Sequence, residues 1–407
     1  MVRLTSMLLN LGLALAAPSL IARQDQGAVN KKLIVGAAGQ ILSFQFDGKT
    51  FKPISQVKEE GKAASWMVFK QPNHLYAVDE NSATLRLFNY DPATGKVSDK
   101  PVSEQTGSPG VVSLEFNKDK TRLLGGSYSN GTVDVWDVSA GDGAMKFIKN
   151  TTLTGELLNP KHTTHRAHQI VPEITGRYFA VNDLGGDAIH ILDSKKDFNV
   201  TSVTKVEPVG CGPRHGGFLS TNPGAPNPAI LPTHYVVLCE TMNLVQLFSI
   251  EKKADETLAL THVQTMSSYG TIPPANATSA AAGELTVARN SKDIYVTNRL
   301  SGNATDNVAF FTFTTANGKA SLTFMNQVSS GGISPRMMSL SRDKDQSIMF
   351  VANPMGENGI VALQRSENCG KLTGKPMATI VNTTISKEVG GFGPQFVLEI
   401  PAPAKSA

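Results

Sequence analysis

The chain has 407 residues, 40% of them apolar and 18% charged, with a formal net charge of +4. That is enough apolar material for a large core, and length alone would allow two or three domains. The cationic excess is spread thinly and carries no interleaved aromatics, which excludes nucleic acid as a partner.

The first 17 residues, MVRLTSMLLNLGLALAA, place one arginine before an apolar run that ends in small residues. This is the pattern of a secretory signal peptide, with cleavage after Ala17 or as late as about residue 23. No later segment approaches eighteen consecutive apolar residues, so no membrane span is expected. Six Asn-x-Ser/Thr sequons, at Asn130, Asn150, Asn199, Asn276, Asn303 and Asn382, lie in or beside turn-like stretches. Together these features predict an exported glycoprotein of a eukaryotic secretory pathway.

After the signal, one unit recurs along residues 31–401. Each copy has a short apolar strand, a turn, a second strand ending in a polar residue, and a third strand. SWMVFKQPNHLYAVDENSATLRLFNYD starts at Ser65, GVVSLEFNKDKTRLLGGSYSNGTVDVWDV at Gly110, and HQIVPEITGRYFAVNDLGGDAIHILD at His168. Further copies start at Arg214, Gly283 and Arg336. A seventh is split across the chain: KLIVGAAGQILSFQF from Lys32 supplies its inner pair and PQFVLEI from Pro394 its opening strand. Alternating apolar residues and Asn/Asp/Gly turns mark strands, and no amphipathic helix stands out. Seven such sheets predict an all-β, single-domain, seven-bladed β-propeller whose first blade is closed by a C-terminal strand.

Propeller geometry brings the residue before each innermost strand and the residue after each second strand to one face, near the axis. The first set comprises Ser65, Gly110, His168, Arg214, Gly283, Arg336 and Gln395; the second comprises Ala37, Glu80, Tyr128, Asp183, Glu240, Arg299 and Pro354. A purely structural repeat position should hold similar residues, whereas these hold His, Arg, Glu, Asp and Tyr in different blades. Such diversity is expected of a binding site assembled from repeats. His215, Arg336, Glu80 and Asp183 are the expected substrate contacts. The frame PVGCGPRHGGF fixes Arg214 and His215 on a backbone limited by Pro213, ready to grip a carboxylate or phosphate in bidentate fashion. The mixture of cations and carboxylates suits a small anionic ligand, with His168 or Glu240 transferring a proton.

Other chemistries are less well supported. In HTTHRAH an extended chain would put His162 and His168 on one side and His165 on the other, with no carboxylate alongside, so no metal site is expected. GAAGQI and DLGGDA are turn glycines within strands rather than phosphate loops, and no cofactor is called for. The three cysteines leave at least one unpaired. A Cys211–Cys239 bridge and two buried thiols both remain open.

The segments HQIVPEITGRYFAVNDLGGD, GPRHGGF, YVVLCE, AAGELTVARNSKDIYVTNR and SPRMMSLSRDKDQSIMFVAN resemble the lactonase family of seven-bladed propellers. That family includes bacterial 6-phosphogluconolactonase and fungal 3-carboxy-cis,cis-muconate cyclase. The resemblance runs from about Ala64 to the C-terminus and implies lactone chemistry without a metal. It carries the cyclase's His, Arg, Glu and Arg onto His168, Arg214, Glu240 and Arg299, so these four are the expected catalytic residues. The expectation is a secreted, cyclase-like lactonising isomerase acting on a small carboxylate. The alternatives are a lactone hydrolase at the same site, or a non-catalytic secreted or cell-wall glycoprotein that binds matrix components.

Overall fold

A computed structural model describes residues 30–403 except 158, 160, 221–229, 367 and 387–392. The expected signal peptide therefore lies outside the described residues. Seven antiparallel sheets follow one another along the chain, six with four strands and one with three. We number the blades I to VII; blades II to VII span 67–106, 111–152, 167–205, 213–267, 281–329 and 337–381.

Blade I joins the two ends of the described chain. Its strand Pro394–Ile400 pairs with Lys32–Ala37, the first half of the long strand Lys31–Phe46. The second half pairs with Phe51–Ala63, and the register breaks between Ala38 and Gln40, where Gly39 takes φ +69°. The long strand thus does the work of two. The split repeat read from Lys32 and Pro394 closes the ring, leaving no long free edge there.

Strand alternation sends apolar side chains between the sheets. One apolar cluster joins blades VII, I and II through residues such as Phe350, Phe396 and Phe69. Five more fill the contacts II–III, III–IV, IV–V, V–VI and VI–VII. Each large ring buried there, such as Trp136 or Phe310, contributes about 1.5–3 kcal/mol. With the core between the blades, the strand ends at the axis are free to carry polar groups.

Five of the seven innermost strands begin irregularly. Extra residues interrupt the pairing at Val112 in blade III, His168 in blade IV, Arg214 in blade V and Gln395 in blade I. In blade VI two residues, Gly283 and Glu284, stand opposite Thr297 alone. Such β-bulges re-aim side chains at the rim of a sheet. Here they occur where each strand enters the central mouth.

Candidate active site

The loop before Arg214 is held from several directions. Gly212 has φ +68°, and a Cβ there would lie 2.8 Å from Thr241 Oγ1, so glycine is required. The amides of Gly210 and Gly212 donate to Asp187 at 2.6 and 2.7 Å. Cys211 and Cys239 form a disulfide, resolving the alternative left open by the sequence; Cys369 is free and exposed. The bridge ties the residue three before Arg214 to the residue immediately before Glu240. The Glu240 amide also donates to Gly212 O at 2.8 Å.

On this frame Arg214 is buried, with Nε 2.8 Å from Glu240 Oε2 and Nη1 donating to Gly283 O at 2.6 Å. Arg299, from the end of the second strand of blade VI, places Nη2 3.0 Å from Glu240 Oε1. One carboxylate thus bridges two guanidinium groups. Arg336, at the entry to blade VII, donates from Nη2 to Glu80 Oε2 at 2.6 Å, reaching past blade I to blade II. Three arginines face two carboxylates, which leaves one cation in excess. Arg214 registers this: burial and the nearby Arg299 lower its pKa, against the pull of Glu240. Burial alone would raise Glu240 and Glu80, but Arg299 and Arg214 hold the first low, and Arg336 the second. Both are carboxylates at neutral pH.

His168 and His215 stand side by side, ring centroids 5.0 Å apart. With Ser65, Trp66, Val112, Arg214, Arg336, Met337 and Gln395 they line a small cavity of about 10 Å3, room for about one water. Burial, followed by Arg214, drives both imidazoles well below the ordinary histidine pKa, so each resists taking a positive charge. Nδ1 of His168 is buried without a partner among the described residues. Nδ1 of His215 lies 2.6 Å from Glu284 Oε1. Glu284 is itself buried, and its Oε2 has no partner among the described residues.

Seven of the eight expected catalytic and substrate-contact residues therefore meet at one mouth. Asp183 does not. Its side chain is fully buried beneath the rim: Oδ1 accepts the amides of Arg166 and Gly186, while His165 Nδ1 and His190 Nε2 lie 2.5 and 3.1 Å from Oδ2. The rim position falls to Leu184, whose amide donates to Arg166 O as that of Glu240 donates to Gly212 O. In the register Asp183 pairs with Ala167 as Cys239 pairs with Pro213, one place before the rim, so Asp183 is a structural pin rather than a substrate contact. The reading of HTTHRAH is corrected with it, because a carboxylate does lie beside His165, supplied by another strand. His165, Asp183 and His190 bring metal-ligating atoms within 4.8 Å of one another. The Asp183 hydrogen bond is the leading cause that raises His165, as expected of an imidazole held against a carboxylate.

Sequence phase missed Trp66, Val112, Met337 and Glu284. Glu284 had a visible signal: in AAGELTV it is the one charged residue of a strand that is otherwise small or apolar. Of the sequons, Asn130, Asn150, Asn199, Asn276 and Asn303 are exposed. Asn382 differs, because its amide nitrogen donates to Asn353 O and Gly356 O and is already engaged.

The model of one protein family, described as "Lactonase, 7-bladed beta-propeller", matches residues 27–385. A protein of Arthroderma benhamiae named as a probable 6-phosphogluconolactonase is 28% identical over 366 residues, covering 87% of this chain and 86% of its own length. The periplasmic gluconolactonase of Pseudomonas aeruginosa superposes with a TM-score of 0.73 at 20% identity, covering 92% of this chain and 99% of that one. A protein from Lactobacillus plantarum gives 0.71 at 19% identity, covering 91% and 100%. At such identities the two structural likenesses speak to the fold alone.

Proposed function

The chain belongs to the lactonase family of seven-bladed β-propellers, and from that premise we propose that it opens a small anionic lactone by hydrolysis at the arginine-lined mouth. The observation that carries this reading is the excess guanidinium charge beside an uncharged imidazole with an unpartnered nitrogen. An incoming carboxylate or phosphate can take the place of Glu240 or Glu80 on an arginine, forming charge-assisted hydrogen bonds of the same kind. Arg214, fixed on its bulge, polarises the lactone carbonyl and stabilises the oxyanion of the tetrahedral intermediate. His168 stays neutral among the arginines and accepts the proton of the attacking water. Arg299 orients the substrate, and Glu240 bridges the two guanidinium groups until the anion takes its place. Hydrolysis takes precedence over the cyclisation expected from the resemblance, because the Arthroderma benhamiae relative is named as a probable lactonase.

Export is part of the same proposal. The Cys211–Cys239 bridge and five exposed sequons support an oxidising, glycosylating route. The test is a pH-stat assay of the purified protein with glucono-1,5-lactone, its 6-phosphate and a muconolactone. Ring opening above the spontaneous rate is expected for at least one of them. No acceleration of any, together with binding to cell-wall glycan, would favour the non-catalytic glycoprotein instead.

A further inference from the structure

One buried pair has no part in the proposal so far. His215 and Glu284 follow directly on the bulged positions of adjacent blades, as neighbours of Arg214 and Gly283. Both side chains are almost wholly removed from solvent, at 2% and 3% exposure. The 2.6 Å contact occupies Nδ1 of His215, and the Leu285 amide adds a 3.1 Å hydrogen bond to the same Glu284 oxygen. Nε2 of His215 makes no hydrogen bond among the described residues, and the ring lines the cavity. A structural pin would use its acceptors as Asp183 does. Glu284 instead leaves Oε2 bare.

We propose that Glu284 and His215 form a proton-holding pair that supplies the leaving alkoxide when the lactone ring opens. This rests on the hydrolytic reading above. In the resting pair the Glu284 carboxylic acid donates to Nδ1, so the ring carries its own hydrogen on Nε2, toward the cavity. When the acyl C–O bond of the tetrahedral intermediate breaks, the departing oxygen takes the Nε2 proton. Nδ1 then takes the proton of Glu284, and a carboxylate and a neutral imidazole remain. The pair gives up one proton in total, which returns from solvent after the hydroxy acid leaves.

The surroundings fit this assignment. Facing the pair are Arg214 from its own blade, Arg299 and Arg336 from blades VI and VII, His168 from blade IV, and the Trp66 ring 5.7 Å from His215. Burial raises the Glu284 pKa despite Arg214, while burial and the arginines lower that of His215. The proton therefore rests on the glutamate side at neutral pH and is lost as pH rises through that raised pKa. His215 is the catalytic residue here, and Glu284 positions and recharges it.

Glu284→Gln separates the roles, because its amide N–H can still donate to Nδ1 and hold the ring but has no proton to pass on. With glucono-1,5-lactone or its 6-phosphate, the variant is expected to lose about 10²–10³-fold in kcat with little change in KM. The alkaline limb of the wild-type pH profile should disappear. Wild-type kcat and an unchanged alkaline limb in Glu284→Gln would overturn the pair's role. A second measurement does not depend on turnover: the infrared difference spectrum of resting wild type minus Glu284→Gln at pH 6. A carboxylic-acid carbonyl band is expected, and a carboxylate band in its place would overturn the proposal even if the protein hydrolyses lactones. If that band is present but no lactone is opened, the hydrolytic reading fails, and with it the proton's use.

Discussion

Two buried arginines of this molecule, Arg365 and Arg214, sit in opposite electrostatic conditions. In blade VII, Arg365 donates from Nε to the Tyr295 hydroxyl at 2.6 Å, from Nη1 to Asp345 O at 2.7 Å, and from Nη2 to Asp293. Burial works against its charge, but Tyr295 and Asp293 outweigh that, and its pKa is raised. At the mouth, Arg214 shares its one carboxylate with Arg299 and is lowered by burial and by that same neighbour. The first cation is fully spent on the fold. The second is held in a place it would not choose, which is the condition of a group waiting for an anionic ligand.

The largest effect expected from breaking this contrast is in Arg214→Ala. Turnover should fall by about 10³-fold or more, as for lost oxyanion stabilisation, while the melting temperature holds or rises because a like-charge contact is removed. Steady-state kinetics beside thermal unfolding reads both. Arg365→Ala should do the reverse. Leaving Asp293 buried and unpaired costs about 3–5 kcal/mol, visible in denaturant unfolding, while the folded fraction keeps its kcat.

His168→Gln sharpens the catalytic side, with a loss of about 10²–10⁴-fold in kcat expected from removing a general base. Because the His168 pKa is lowered, the wild-type base stays neutral and active as pH falls below the ordinary histidine value of about 6.5. The acid limb of kcat/KM should lie below that value. A limb at or above it would take the role from His168.

Much of this contrast could be read from the chain, and the remainder was hidden for a definable reason. The repeat, the split blade and the positions of Arg214, Arg299, Arg336, Glu80 and Glu240 follow from strand alternation counted blade by blade. Counting fails where a bulge inserts a residue. Matching residue types between blades set Asp183 beside Glu240 where the register sets it beside Cys239, and the doubled Gly283–Glu284 step put a glycine in view while the carboxylate lay one place further on. Alternation shows where a strand runs, but not where its pairing slips. Nor could spacing pair His165 with Asp183, since the contact depends on how a loop folds back over its own sheet.

A smaller effect is expected from the Cys211–Cys239 bridge, which braces the Arg214 loop against Glu240. Its 28-residue separation implies a contribution on the order of 3 kcal/mol. Cys211→Ala with Cys239→Ala should lower stability by about that amount and weaken kcat/KM by several-fold, measured below the new melting temperature. The smallest change should come from Glu80→Gln, which frees the half-exposed Arg336 from its partner. KM for an anionic lactone should fall by a few-fold at low salt and return toward wild type at high salt.

The most direct measurement is a crystal structure with the ring-opened product, gluconate or 6-phosphogluconate, bound to the wild-type protein. The account predicts an anionic group within hydrogen-bonding distance of Arg214 or Arg299, in place of Glu240, and the remaining chain against His168 and His215. A product bound on the opposite face of the propeller, with the Arg214–Glu240–Arg299 bridge undisturbed, would contradict it.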